Sequence, residues 1–375
     1  MDFQKITDYL KSLEEYGVPS TDMMIYKDHE LIYRNFNGYT DGNKSIKVSD
    51  DTQYLMFSMT KVQTMAALMQ LVERGVLSLD DEVSKYLPAY KELTALDNNS
   101  IVKVDSLKLW QLASMQSGLD YDLERPGIVR VLKEKGDKAT TKELVDSFVE
   151  SPLSFVPGTH FQYSLSHDVI AAVIEVASGM KFSEYLKKNI WEPLGMDRTY
   201  FAKPMNDGEK DLAKQYIYNE SANKIEPMEQ SCCYQLSGSY ESGGAGLTSC
   251  TKDYAIFGDT LACGGISKDG VRILKPETVE VFKKSLLCEA SKKEIDQNMG
   301  RKGYGYSVGM QVLLDPALIG SPSPAGIFGW DGAAGSCIQM DTASRTSFVF
   351  TMHVRGFGPA YGIIHPKLRD LVFGK

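Results

Sequence analysis

Apolar and polar positions change their period more than once along the 375-residue chain. Residues 1–18, MDFQKITDYLKSLEEYGV, carry charges throughout and read as an amphipathic helix. In TDMMIYKDHELIYRNFNGYTD, alternating apolar positions flank a polar KDHE turn, which predicts a β-hairpin. The period then becomes helical. Val62, Met65, Ala66, Met69 and Val72 form a stripe that predicts a helix from about Ser58 to Gly75, with Gly75 as its stop. From there to about residue 240 the pattern is mostly helical, as in SLKLWQLASMQSGL, TTKELVDSFVES and SHDVIAAVIEVASGMKFSEYLKKNIWEPLGM.

The last third changes again. ESGGAGLTSCTKDYAIFGDTLACGG reads as a Gly-rich loop feeding a helix, whereas GYGYSVGMQVLL and GSCIQMDTASRTSFVFTMHV read as strands, with DTAS at a hairpin turn. A final helix is predicted over about Tyr361 to Phe373. Strands at both ends with helices between them imply an α/β chain with one sheet built from both termini. Residues 1–80 plus 241–375 would then form the sheet domain, and 81–240 a mainly helical one.

Composition narrows the function. At 43% hydrophobic and 24% charged residues, the chain has ordinary globular composition. A net charge of -8 is the wrong sign for neutralising phosphates, so no nucleic-acid partner is expected. Residues 1–18 have no apolar signal region, and no stretch approaches the length of a membrane span. The six cysteines lack CxxC spacing, which argues against zinc and a secreted disulfide framework. These features predict a cytoplasmic location and no membrane partner.

Chemistry enters with FSMTK, residues 57–61, just ahead of the apolar stripe. Side chains at i and i+3 share a helix face, so Ser58 and Lys61 are neighbours. A serine hydroxyl becomes a nucleophile when a base takes its proton, and a lysine of suppressed charge can be that base. Spacing alone favours the blander reading of an N-capping serine and a solvated lysine. Two further segments change the balance. HFQYSLSHD puts Tyr163 and Ser164 before a helix that starts near Ser166, and IFGWDGAAGSCIQMD puts Trp330, Asp331 and Gly332 on or beside a strand.

In order and context these segments resemble the SxxK, YxN and KTG motifs of the serine β-lactamase and penicillin-binding protein superfamily. LWQLASMQSGLDYD and PLGMDRTYF also look like phrases of that superfamily. Leu165 in place of asparagine and Trp330-Asp331-Gly332 in place of Lys-Thr-Gly resemble the family VIII carboxylesterases and related acyltransferases. The resemblance implies a β-lactamase/transpeptidase-like fold with an antiparallel sheet and an active site between the two domains. It also implies a serine esterase that forms an acyl-enzyme on Ser58. Lys61 and Tyr163 would share the proton work, with the choice of base left open. The backbone N–H groups of Ser58 and Ala333 would hold the oxyanion, and Trp330, Gly332, Tyr121 and Leu165 would line the substrate site.

A tryptophan at 330 would present a flat apolar wall, and Asp331 beside it would repel a substrate anion. The expected substrate is therefore a small neutral ester, cleaved without cofactor or metal. The alternative readings are a β-lactamase or D,D-peptidase, against which Leu165 and Trp330 count, and a non-catalytic binding module on the same scaffold. Nothing in the sequence fixes the oligomeric state.

The five histidines lack ligand spacing, and no Gly-x-Ser-x-Gly elbow is present. Asp168 reads as a helix cap or internal hydrogen-bonding group. Gly243, Gly244 and Gly246 read as a tight turn at the mouth of the site. Vicinal Cys232 and Cys233 read as incidental.

Overall fold

The computed structural model describes residues 1–201 and 211–374. Its main sheet has the strand order Tyr304–Tyr306, Gln311–Leu313, Phe328–Asp331, Cys337–Asp341, Thr346–Thr351, Ser20–Lys27, Glu30–Gly38. Every neighbouring pair is antiparallel. The expected hairpin forms with its turn at Asp28 and His29, and its first strand joins the C-terminal Thr346–Thr351, with Asp22 opposite Thr351. The sheet is thus built from both ends of the chain.

Side chains alternate between the two faces with the period of the pleat. Met23, Ile25, Phe348 and Phe350 join a core with Ile6 and Leu10 of the Phe3–Ser12 helix and Ile364, Leu368 and Val372 near the C-terminus. Met24, Val349, Ile338 and Met340 face the other way, into the larger core that holds the Thr251–Ala262 helix. The N-terminal helix therefore covers a sheet face through its apolar side.

The Thr60–Glu73 helix packs against the Ser166–Ser178 helix and is buried around its whole circumference from Thr60 to Leu71. A single apolar stripe was expected there. The difference arises because this helix lies inside the molecule, where Lys61, Gln63, Thr64 and Gln70 are buried with the apolar residues. Its first predicted turn is a separate 3-10 segment, Phe57–Met59. The middle of the chain also contains hairpins that periodicity did not reveal, Leu93–Asp97 with Ser100–Val104 and Tyr216–Asn219 with Lys224–Pro227.

A small sheet positions the chemistry. Gln53–Leu55 pairs with Leu247–Cys250, and the Met56 N–H donates to the Leu247 carbonyl at 2.8 Å. These pairings set the FSMTK segment beside the Gly-rich loop at 242–246. Among the described residues, no helix is long and apolar enough to cross a membrane.

Candidate active site

Ser58 lies on the 3-10 turn and Lys61 on the first turn of the following helix. Phe57 approaches them with φ of 46°, a left-handed conformation that costs a non-glycine residue about 1 kcal/mol. Its buried ring holds that geometry, packed with Leu55 and Ala334. Ser58 does not cap the helix. The N-cap position belongs to Met59, and no side chain caps the helix there.

The Lys61 amine is buried and donates to Ser58 Oγ at 3.2 Å, the Tyr121 hydroxyl at 3.0 Å and the Gly244 carbonyl at 2.7 Å. Burial lowers its pKa to about 7, against an opposing pull from Asp168. Desolvation wins because none of the three acceptors carries a full negative charge.

Tyr163 precedes the Ser166–Ser178 helix. Its segment is held by the Gln162 N–H on the Met115 carbonyl at 2.9 Å and by a buried hydroxyl chain, Ser164 to Ser166 to Ser117, with 2.7 Å links. The Lys61 amine lies 4.7 Å from the centre of the Tyr163 ring. Burial pushes the phenol well above its ordinary range, although Ser58 and Trp330 favour its ionised form. Amine and phenol are thus driven in opposite directions, one towards neutrality near pH 7 and the other towards a permanent proton.

Trp330 departs from the expected apolar wall. It is 2% exposed, and its indole N–H donates to the Tyr163 hydroxyl at 2.9 Å. Tyr306 packs edge-on behind it at 5.0 Å. The tryptophan therefore orients the phenol as well as filling space.

Asp331 corrects a second expectation, since it cannot repel a substrate anion. Trp330 and Asp331 are consecutive on a strand, so their side chains take opposite faces. Asp331 is buried on the C-terminal side, where it pairs with Arg301 and lies 3.3 Å from His365 Nδ1. Burial opposes its charge, but Arg301 and His365 outweigh this and hold the carboxyl at about 2. His365 Nε2 reaches the Gly335 carbonyl at 2.8 Å, and the Tyr361 hydroxyl donates to the Gly332 carbonyl at 3.0 Å.

Those contacts clamp the turn that carries Ala333. The turn closes through Gly332 N–H to the Ser336 carbonyl at 2.8 Å and Gly335 N–H to the Gly332 carbonyl at 2.9 Å. A methyl group on Gly332 would stand 2.4 Å from the Met56 carbonyl oxygen, so glycine permits this close approach. Ala334 packs on Phe57, and Ala333 is exposed beside it.

Tyr121 is more than pocket lining, because it meets the Lys61 amine directly. Its loop is fixed by the Asp120–Arg125 ion pair and by the Leu165 N–H donating to the Asp120 carbonyl at 3.1 Å. The Leu165 side chain is 2% exposed within the core, so its contribution here is through the backbone. Tyr234 stands edge-on to Tyr121 at 5.9 Å.

Ser58, Lys61, Tyr121, Tyr163 and Trp330 are therefore brought together, with the Gly332–Gly335 turn alongside. Sequence reasoning missed Arg301, His365, Tyr361 and the Gly244 carbonyl, none of which has a motif to mark it. Asp331, Cys337 and His365 form a triad of metal-ligand types, but the neighbouring Arg301 guanidinium already supplies the positive charge. His29, Asp259 and Cys263 form another, in which both Asp259 oxygens face His29.

A family model described as Beta-lactamase matches residues 4–371. Esterase EstB of Burkholderia gladioli is 27% identical, covering 97% of this chain and 93% of that protein. A putative D-alanyl-D-alanine carboxypeptidase of Escherichia coli (strain K12) is 26% identical, over 85% of this chain and 75% of its own. Among solved structures, EstCE1, titled a hydrolase with promiscuous acyltransferase activity, superposes with a TM-score of 0.81 at 24% identity, covering 99% of this chain and 98% of that one. Unliganded simvastatin synthase (LovD) from Aspergillus terreus gives 0.76 at 19% identity, with 99% and 98% covered.

Proposed function

Because this chain belongs to the Beta-lactamase family, we propose that it is a serine hydrolase that cleaves small neutral carboxylic esters through an acyl-enzyme on Ser58. One observation carries the reading: a buried amine, inclined to be neutral near pH 7, stands 3.2 Å from Ser58 Oγ, within reach of the hydroxyl proton for its lone pair once it is neutral. Such an amine accepts the serine proton as Oγ attacks the ester carbonyl. Lys61 is accordingly the base, and Tyr163, whose phenol burial keeps protonated, passes a proton to the departing alkoxide.

The backbone N–H groups of Ser58 and Ala333 receive the developing oxyanion, a donor of this kind being worth about 3 kcal/mol. Collapse of the tetrahedral intermediate breaks the bond to the alcohol oxygen and leaves the acyl group on Ser58. The proton on Lys61 then passes to Tyr163, which restores the neutral amine and the phenol. Water gives a proton to Lys61 as it attacks the acyl carbon, the carboxylic acid departs as Tyr163 returns a proton to Ser58 Oγ, and the same transfer from Lys61 to Tyr163 resets the pair. An alcohol in place of water would make the reaction an acyl transfer, the promiscuous activity named for EstCE1. Trp330, Gly332 and Tyr121 border the ester, with Leu165 supporting the Tyr121 loop. A cytoplasmic site of action belongs to the same proposal and is supported by six free cysteines.

The carboxypeptidase-named relative favours a second reading, action on a D-alanyl peptide or β-lactam. Against it, the strand offers a buried indole and an inward-turned carboxylate where the superfamily has Lys-Thr-Gly. One experiment separates these readings. p-Nitrophenyl esters of graded chain length are run beside a chromogenic cephalosporin, with Ser58→Ala as control and fluorophosphonate labelling read by peptide mass spectrometry. Ester turnover that Ser58→Ala abolishes, with the adduct on Ser58, is the expected result. Cephalosporin hydrolysis at a rival rate selects the second reading, and an unlabelled Ser58 selects a non-catalytic module.

A further inference from the structure

The Ser166–Ser178 helix and the Gly-rich loop meet beside Lys61, and the polar residue at their junction is Asp168, whose carboxyl is wholly buried. Oδ1 accepts from the Tyr240 hydroxyl at 2.7 Å and the Ser242 hydroxyl at 2.5 Å. Oδ2 has no hydrogen-bond partner and lies against Gly244. A methyl group on Gly244 would stand 2.6 Å from that oxygen and 3.4 Å from Lys61 Nζ. The Gly244 carbonyl in turn accepts from Lys61. A single glycine thus separates the amine from the carboxyl, and Thr64, one turn along the Lys61 helix, binds the adjacent Gly243 carbonyl at 2.6 Å.

We propose that Asp168 is the counter-charge to Lys61 across Gly244, a positioning residue that sets the pH range over which the amine serves as base. This rests on the reading of Ser58 and Lys61 given above. Two hydroxyl donors on one oxygen favour the ionised carboxyl. Burial leaves the Asp168 carboxyl above its ordinary value, against the pull of Ser242, Tyr240 and Lys61 towards the charged form.

The other titratable groups facing the pair carry no charge to compete. Burial raises the phenols of Tyr90, Tyr121, Tyr163, Tyr234 and Tyr240 and, with Lys61, holds His167 well below its ordinary value. Among the described residues, Asp168 is the one carboxylate whose field bears on Lys61. It acts against burial. Without it the amine would be a weaker base, neutral at lower pH but less able to draw the proton from serine.

The test is Asp168→Asn, which keeps the side-chain volume and an oxygen for both hydroxyls. The rate constant for fluorophosphonate labelling of Ser58 and kcat/KM for p-nitrophenyl acetate are each followed against pH. The expected result is that the ascending limb moves to lower pH by about 1 to 3 units, the shift an adjacent opposite charge produces. Tyr240→Phe, which removes one donor and leaves the carboxyl, should move it the same way by less. A limb unmoved in both variants overturns the proposal, and so does a shift to higher pH. Should the asparagine variant not fold, Tyr240→Phe decides alone. A wild-type protein that never labels at Ser58 defeats the hydrolase reading instead, since it has no limb to move.

Discussion

Replacing Arg301 with methionine removes one partner of a charge pair that is nearly sealed from water. Arg301 is 8% exposed, Asp331 5% and His365 1%. Deleting one side of a buried pair strands the other, at a cost of about 3 to 5 kcal/mol. The loss should lie towards the lower figure here, because His365 remains 3.3 Å from the carboxylate. The pH dependence follows from the two shifts. Asp331 sits at about 2, below the 3.8 of a free carboxyl, so its contribution is present above 3.8 and is lost as pH falls through 2. His365 sits at about 10, where Cys337 and Asp331 outweigh the burial that opposes its charge. Its contribution is full below 6.5 and disappears as pH rises through 10. The network is therefore strongest in weakly acidic solution. In Arg301→Met the acid-side loss should begin at higher pH, because the carboxyl rises towards its free value. Urea unfolding at a series of pH values measures all of this. Arg301→Met/Asp331→Asn, which strands no carboxylate, should be less destabilised than Arg301→Met alone. A single variant within about 1 kcal/mol of wild type in weakly acidic solution, or a double variant worse than the single, would refute the reasoning.

Trp330→Phe keeps a ring against Tyr306 but deletes the indole donor to Tyr163. It should lower kcat/KM for a p-nitrophenyl ester about five- to tenfold, the worth of one hydrogen bond, with the melting temperature nearly unchanged. Equal activity would show that the phenol needs no such orientation. Gly244→Ala introduces a methyl group 2.6 Å from Asp168 Oδ2 and should cost about 1 to 3 kcal/mol of stability along with most of the esterase activity. Crystals of that variant showing an undisplaced Asp168 would contradict the packing described.

Much of the fold is legible in the sequence because alternation and helical period report burial locally. The Ser20–Lys27 hairpin and the late strands follow from period-2 patterning, and their assembly into one sheet from strands at both ends. The Thr60–Glu73 helix is legible as a helix but not as a central one, since a buried lysine, glutamines and threonine read as polar surface until their neighbours are known. The hairpin over residues 93–104 was hidden because its outer face mixes Thr94 and Lys103 with exposed Leu96 and Ile101, which blurs the alternation, and by the helical text around it. Within the site, Ser58, Lys61 and Tyr163 stand in recognisable local contexts. Asp331 was misread because its partners lie some thirty residues away on either side, Arg301 ahead of the Tyr304–Tyr306 strand and His365 at the start of the His365–Phe373 helix, and tertiary packing brings them to it. Trp330 was read by its size and flatness, whereas its hydrogen bond depends on where a distant tyrosine comes to rest.

The strand Ser20–Lys27 sits between its hairpin partner and Thr346–Thr351. During synthesis the hairpin leaves the ribosome long before that second neighbour exists. One edge of the nascent hairpin must wait, with open N–H and C=O groups, until Thr346–Thr351 has been made. Closure of the sheet therefore trails the hairpin by some three hundred residues of synthesis, and a chain cut short ahead of Thr346 keeps that hairpin edge adhesive.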